Sequence, residues 1–254
     1  MNNRKTICIA TKKGGAGKTT TAVNLACIWA REGHRVLLID HDAQGNATTA
    51  LGIRLSESDR SLHEAIVDME GLPIVTVRDN LFLCPADIRL ATIEQDLHSV
   101  KGRVFRLSQL LEPIRSQFDF IVIDCPPNHG VGTNSALVAS DYVLIPTEAT
   151  LFGVRGVVDM LDTLEVANVR ASHPIELLGI LVTRMRRTRD QASVIEQLRQ
   201  RYPQHVLDTV IRESASVAAS QLYCDDVAHY HLSSNGAADY LSLSKEILRK
   251  LKNE

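Results

Sequence analysis

No two of the five cysteines (Cys8, Cys27, Cys84, Cys125 and Cys224) form a C-x-x-C pair, and their number is odd. Scattered thiols of this kind point to a reduced, cytoplasmic chain, and they offer no paired cysteines for an iron–sulfur carrier. No apolar run approaches the roughly 20 residues of a membrane span. Met1-Asn2-Asn3-Arg4-Lys5 leads straight into a strand without a secretory core, so neither export nor a transmembrane anchor is expected, nor a separate amino-terminal DNA-binding domain. A surplus of one charge is also missing. The 28 basic residues against 30 acidic ones give −2, which excludes wholesale coating of nucleic acid and requires any such contact to come from a local patch. Repeats, low-complexity tracts and Pro/Gly/Ser linkers are absent. With 44% hydrophobic and 23% charged residues, residues 1–254 read as a single globular domain with an ample core.

What is present is a recurring signal of apolar strands. Ile7 to Ala10, Arg35 to Asp40, Phe118 to Asp124, Tyr142 to Pro146, Glu176 to Val182 and, more weakly, Val206 to Ile211 carry it. Strands apolar on both faces suit a parallel sheet covered by helices. Helical periodicity follows the first strand and returns at about 103–116, 152–169, 190–201 and 234–251. This alternation predicts an α/β fold, a doubly wound, mostly parallel sheet with helices on both faces. Its functional loops would gather at the carboxyl edge of the strands. Residues 52–102 are the least periodic, with short strands near Ile74-Val75 and Leu81-Phe82-Leu83 and a helix from about Ile88 to Leu97. They read as an insertion within the domain.

Between the first strand and the first helix lies Lys12-Lys13-Gly14-Gly15-Ala16-Gly17-Lys18-Thr19-Thr20-Thr21. Backbone N–H groups in such a nest and at a helix N-terminus point at an anion. Gly14, Gly15 and Gly17 keep side chains clear of it and accept backbone angles that other residues resist. Lys18 would reach the β- and γ-phosphates of ATP, the Thr19 hydroxyl would ligate Mg²⁺, and the loop from Lys13 through Thr20, including Ala16, would line the nucleotide. Asp124 closes an apolar strand and is followed by Cys125-Pro126-Pro127-Asn128. That is a Walker B pattern, whose carboxylate would hold Mg²⁺ directly or through water. The two prolines stop the strand and fix the carboxylate's position. Cys125 is expected to be a small buried hydrophobe, and His41 to be solvated or hydrogen-bonded locally.

Lys12 stands where an ordinary P-loop has its first glycine, and Lys13 precedes the central glycines. This deviant form, Lys-Gly-Gly-x-Gly-Lys-Thr, resembles the family of ParA, Soj and MinD ATPases. The resemblance extends over Asp40-His41-Asp42-Ala43-Gln44-Gly45-Asn46, Phe118 to Asn128, Ser140 to Thr147 and the final helix. It implies that Lys13 reaches across a dimer interface to the partner's ATP, so that nucleotide controls dimerisation. It also implies that Asp42, matching the second aspartate of Asp-x-Asp-Pro-Gln-Gly-Asn, orients the attacking water. Ala43 replaces the usual proline, which loosens that turn. Asp40 reads equally as a cap for the next helix. Arg212 falls where the family has Pro-Arg-Asn beside the adenine, although Ile211-Arg212-Glu213 keeps only the arginine. The activity implied is a slow, partner-stimulated Mg-ATPase that forms an ATP-sandwich homodimer on the nucleoid and binds DNA non-specifically. It would move a plasmid, chromosome or protein cargo with a ParB-like or other adaptor.

Thr183-Arg184-Met185-Arg186-Arg187-Thr188-Arg189 packs four arginines with no acid among them. Such a patch is the footprint of salt-sensitive phosphate-backbone contact; its alternative is a solvated loop that aids solubility. No helix-turn-helix or zinc-finger pattern adjoins it, so DNA contact through Arg184, Arg186, Arg187 and Arg189 is expected to ignore sequence. The final helix, Asn235 to Lys252, carries Tyr240, Leu241, Ile247, Leu248 and Leu251 on one face. Docking on the sheet is expected in preference to the membrane-surface role of MinD-type relatives, which is the runner-up. A ligase of small molecules would need a substrate pocket that no motif marks.

Overall fold

The computed structural model describes residues 5–127 and 130–252. The readings at Met1 to Arg4 and at Asn128 lie outside the described residues. Among the described residues the eight strands are β1 (Lys5–Ile9), β2 (Val36–Asp40), β3 (Val75–Arg78), β4 (Leu81–Cys84), β5 (Phe120–Asp124), β6 (Tyr142–Glu148), β7 (Glu176–Met185) and β8 (Val206–Arg212). They form one sheet in the order β3-β4-β2-β5-β1-β6-β7-β8. Among the described residues only the β3–β4 pair is antiparallel; the other neighbours run parallel. The chain winds outward from β1 in one direction, returns to β5, and then continues from β6 in the other. The reversal leaves the end of β1 at a switch point, where α/β sheets bind ligands.

Both faces of the sheet are covered, as the unbroken apolar strands require. Side chains alternate with period two: Ile7 and Ile9 pack with Trp29 and Tyr240 on one face, whereas Cys8 and Ala10 enter the other with Ile123 and Val157. The first face is covered by the helices Lys18–Arg31 and Asn235–Lys252, the second by helices that include Val131–Val138, Leu151–Arg170 and Arg189–Arg201.

Two expectations need correction. The helix read over 103–116 is a tighter turn at Arg103–Phe105 running on into the helix Arg106–Leu111, with a separate turn at Arg115–Gln117; the break between the last two falls at Pro113, which has no N–H to donate and whose ring clashes with the preceding turn. Residues 52–102 carry the two short strands expected of them, as β3 and β4, but instead of an insertion they are part of the main sheet, with Leu38 in register with Leu83, and complete one side of it.

The final helix is docked. Tyr240, Leu243 and Ile247 are at most 1% exposed, and the Trp29 indole donates to the Ser244 hydroxyl at 3.1 Å. The same helix seals β8, the last strand of the sheet. Glu246 accepts hydrogen bonds from the Asp208 and Thr209 amides at 2.8 and 2.9 Å, and Asp239 accepts one from the Arg212 amide at 2.9 Å. Among the described residues no helix is long and apolar enough to cross a membrane.

Candidate active site

The loop between β1 and the first helix has the geometry of an anion nest. Gly15 and Gly17 take φ of 77° and 85°, a left-handed region that costs other residues roughly 1 kcal/mol or more. Gly17 stands at the helix N-cap with no side-chain cap, so the first-turn amides are left for a ligand. The loop is pinned from outside by the Thr183 hydroxyl, which donates to the Ala16 carbonyl at 2.8 Å. Lys18 is buried, with Nζ 3.4 Å from the Lys13 carbonyl. Burial lowers its pKa, and Asp124, Cys125 and Asp42 partly restore it. A cleft of about 600 Å³ opens here, lined by Gly14, Gly15, Gly17, Lys18, Thr19, Thr20 and Asp42 among others.

Three aspartates meet at the carboxyl edge. Asp40 and Asp124 stand side by side in register on β2 and β5. Asp40 accepts from the Thr48 amide and hydroxyl at 2.8 and 2.7 Å and from the Asp42 amide at 3.2 Å. Its burial pushes its pKa up to about 6 against these bonds. Its geometry is that of a tie for the loop after β2. Asp42 accepts from the Gln44 amide at 3.0 Å, and the Gly45 amide donates to the Asp42 carbonyl at 2.9 Å. This Asx turn fixes the loop although Ala43 has replaced proline.

Asp124 is fully buried, and apart from the nearby Thr19 hydroxyl neither carboxylate oxygen has a polar partner. Burial and the neighbouring Asp40 raise its pKa well above the carboxylate range, with the nearby Thr19 hydroxyl and Lys18 offsetting part of the effect. Two unpartnered buried oxygens next to a threonine hydroxyl make a hard oxygen donor set that fits Mg²⁺. That ion keeps most of its waters and takes few protein ligands.

His41 departs from expectation. It is 2% exposed, with Nε2 3.1 Å from the Ser135 hydroxyl and Nδ1 unpartnered, and burial pushes its pKa down to about 4. Strand β2 delivers it under the helix Val131–Val138, which the sequence did not announce. Cys125 is buried with its Sγ 3.1 Å from that of Cys8, and burial raises its pKa, in keeping with a small hydrophobe.

Sequence reasoning missed the partners of the charged residues. Lys13 forms an ion pair with Glu148 at the end of β6, a carboxylate that also lies 3.5 Å from the Arg184 guanidinium. Pairing of β6 with β1 brings that acid beside the loop, which only the strand order reveals. Within the arginine cluster, Arg184 does not simply face solvent. Its left-handed backbone (φ 50°) carries the guanidinium back to 3.5 Å from the Gly15 carbonyl. Arg186 is paired with Glu213, so the cluster has an acid from outside its own run. Arg187 and Arg189 are exposed. Arg212 is held by Asp239 through Nε and Nη2 at 2.6–3.1 Å. It lines a second cavity of about 460 Å³, with Thr20, Glu213, Gln221 and Tyr240, next to the phosphate loop. Its guanidinium is thus already engaged.

Residues 4–177 match a family model described as an AAA domain. The chain is 36% identical to the sporulation initiation inhibitor protein Soj of Bacillus subtilis over 247 residues, covering 96% of this chain and 98% of the relative. It is 32% identical to the chromosome partitioning protein ParA of Myxococcus xanthus over 248 residues, covering 96% and 88%. Of the solved structures, apo McdA of Cyanothece has a TM-score of 0.88 at 28% identity, covering 96% of this chain and 99% of that one. Cobyrinic acid a,c-diamide synthase from Mycobacterium smegmatis, with bound ATP analogue and magnesium, has a TM-score of 0.85 at 30% identity, covering 98% and 96%. Matches of this extent, over a chain whose glycine loop carries the deviant lysine, mean that the protein belongs to the ParA/Soj family of partitioning ATPases.

Proposed function

We propose that the chain is one ATPase domain that dimerises around ATP, binds DNA without sequence preference in the cytoplasm, and positions cargo with a ParB-like or other adaptor. The observation that carries the hydrolase reading is the orphaned Asp124 carboxylate beneath the glycine nest. A buried unpaired charge is costly unless a cation completes it. Thr19 and Asp124 would hold Mg²⁺, which neutralises phosphate charge when bound. The loop amides and Lys18 bind the β- and γ-phosphates. Asp42, anchored through the Gln44 amide, orients a water for attack on the γ-phosphorus; the new P–O bond forms as the bond to the ADP oxygen breaks. Lys13, supplied across the dimer, adds positive charge where it develops in the transition state. Arg212, tied to Asp239, supports the wall of the base cavity.

DNA contact is assigned to Arg187 and Arg189, with Arg186 available once it leaves Glu213, and Arg184 facing the phosphate loop. The test is binding to non-specific duplex DNA with ATP, with ADP and without nucleotide over a salt series, for wild type and Arg187→Ala/Arg189→Ala. We expect binding only with ATP, falling steeply with salt, and a shallower salt slope in the variant by roughly two phosphate contacts. Absence of binding in every state refutes the DNA reading and favours a membrane-positioning role. The likeness to an amide-forming synthase keeps a ligase as the competing reading. Phosphate release from ATP without any acceptor substrate excludes it.

A further inference from the structure

Glu148 is placed between two cations, and only one of them belongs to the phosphate loop. Its carboxylate pairs with Lys13 through one oxygen and lies 3.5 Å from the Arg184 guanidinium through the other. The acid side chain is 19% exposed and Lys13 30%, so the pair is partly shielded from water. Its backbone is fixed: the Glu148 carbonyl accepts from the Thr150 amide at 2.8 Å, and a Cβ built at Gly153 would lie 2.0 Å from that carbonyl. Arg184 is aimed at the same carboxylate by a left-handed backbone, a strained conformation for an arginine that persists only where its surroundings impose it.

A lysine bound to an acid of its own subunit is not at a partner's nucleotide. We propose that Glu148 is a positioning residue that parks Lys13 within its own subunit, and that Arg184 takes over Glu148 when Lys13 leaves for the triphosphate. Exchange of one cation for another leaves no half-buried carboxylate unpaired, which would otherwise oppose the departure. The ATP concentration needed for dimerisation is then set by competition between Glu148 and phosphate for one lysine. This inference rests on the ATP-dependent dimer proposed above.

The experiment measures the concentration of a hydrolysis-resistant ATP analogue giving half-maximal dimer on sizing with light scattering. It compares wild type, Glu148→Gln, Arg184→Ala and the double variant, each with its melting temperature without nucleotide. Glu148→Gln should lower the required concentration by about three- to fivefold, the scale of a partly exposed ion pair. Arg184→Ala should raise it, and that increase should shrink when Glu148→Gln is already present, because the exchange runs through the acid while the separate contact of Arg184 with the Gly15 carbonyl at 3.5 Å is lost in either background. A merely structural Glu148 would move the requirement upward together with a lower melting temperature. An unchanged or raised requirement in Glu148→Gln, or an Arg184→Ala effect of undiminished size in the double variant, overturns the exchange while the dimer stands. A wild type that never dimerises overturns the dimer and the exchange together.

Discussion

Asp124→Asn should make the nucleotide-free protein more stable while abolishing its response to magnesium nucleotide. The carboxylate is fully buried with no polar partner apart from the nearby Thr19 hydroxyl, and its nearest strand neighbour in register is another carboxylate, Asp40. An unsatisfied buried polar group costs about 1–3 kcal/mol, and more when charged. The neutral amide keeps the shape and removes the repulsion with Asp40, while its own donors and acceptor are no better satisfied and the attraction to Lys18 is lost, so a net gain of about 1 kcal/mol is expected, or roughly 2–4 °C in Tm for a chain of this size. The sign follows from protonation. A carboxyl whose folded pKa is raised binds a proton more readily folded than unfolded, so its penalty is absent near pH 4 and grows as pH rises towards the folded pKa. The advantage of Asp124→Asn should therefore widen from pH 5 to pH 8. With an ATP analogue and Mg²⁺ at a hundredfold Kd, wild type should gain about 2.7 kcal/mol and the variant little. Differential scanning fluorimetry across that pH range, with and without Mg²⁺ nucleotide, checks both halves. A variant less stable than wild type at pH 8 without nucleotide would refute the reasoning.

His41 titrates in the opposite sense. Its folded pKa of about 4 lies below the ordinary 6.5, so stability present above pH 6.5 is lost as pH falls towards 4, by at most about 3 kcal/mol. Denaturant midpoints should accordingly drop less in His41→Gln than in wild type over that window. Gly45→Ala should cost about 1–3 kcal/mol, because φ is 61° and the added Cβ meets the Ala86 carbonyl at 2.9 Å; a denaturant midpoint no lower than wild type would count against the strained turn.

Strands covered on both faces announce themselves in sequence, which is why β1, β2, β5, β6 and β7 were legible. The glycine loop and Asp124 were legible because their chemistry is carried by neighbours in the chain. Elements buried all round were harder. The helix Val131–Val138 has six of its eight residues buried, so it has no polar face to reveal a helical period. The residues that tune the site, Glu148, Glu213 and Asp239, were missed for a different reason. Each meets its arginine or lysine across the fold, at sequence separations of 135, 27 and 27, and nothing local distinguishes them from solvated acids. The left-handed Arg184 was missed likewise, since an arginine has no intrinsic preference for that conformation.

The carboxylates of Glu246 and Asp239 that cap the β8 amides bear on how this protein can be recruited. With the Asp208, Thr209 and Arg212 amides already taken by the final helix, this strand is a poor template for a partner's extended peptide or for a second copy. The opposite border, β3, is four residues long and antiparallel, and gives little more to grip. A partner of the kind proposed above would then have to read side chains on helices and loops. Such surfaces can change with the bound nucleotide, whereas a strand-to-strand graft would hold on regardless of it.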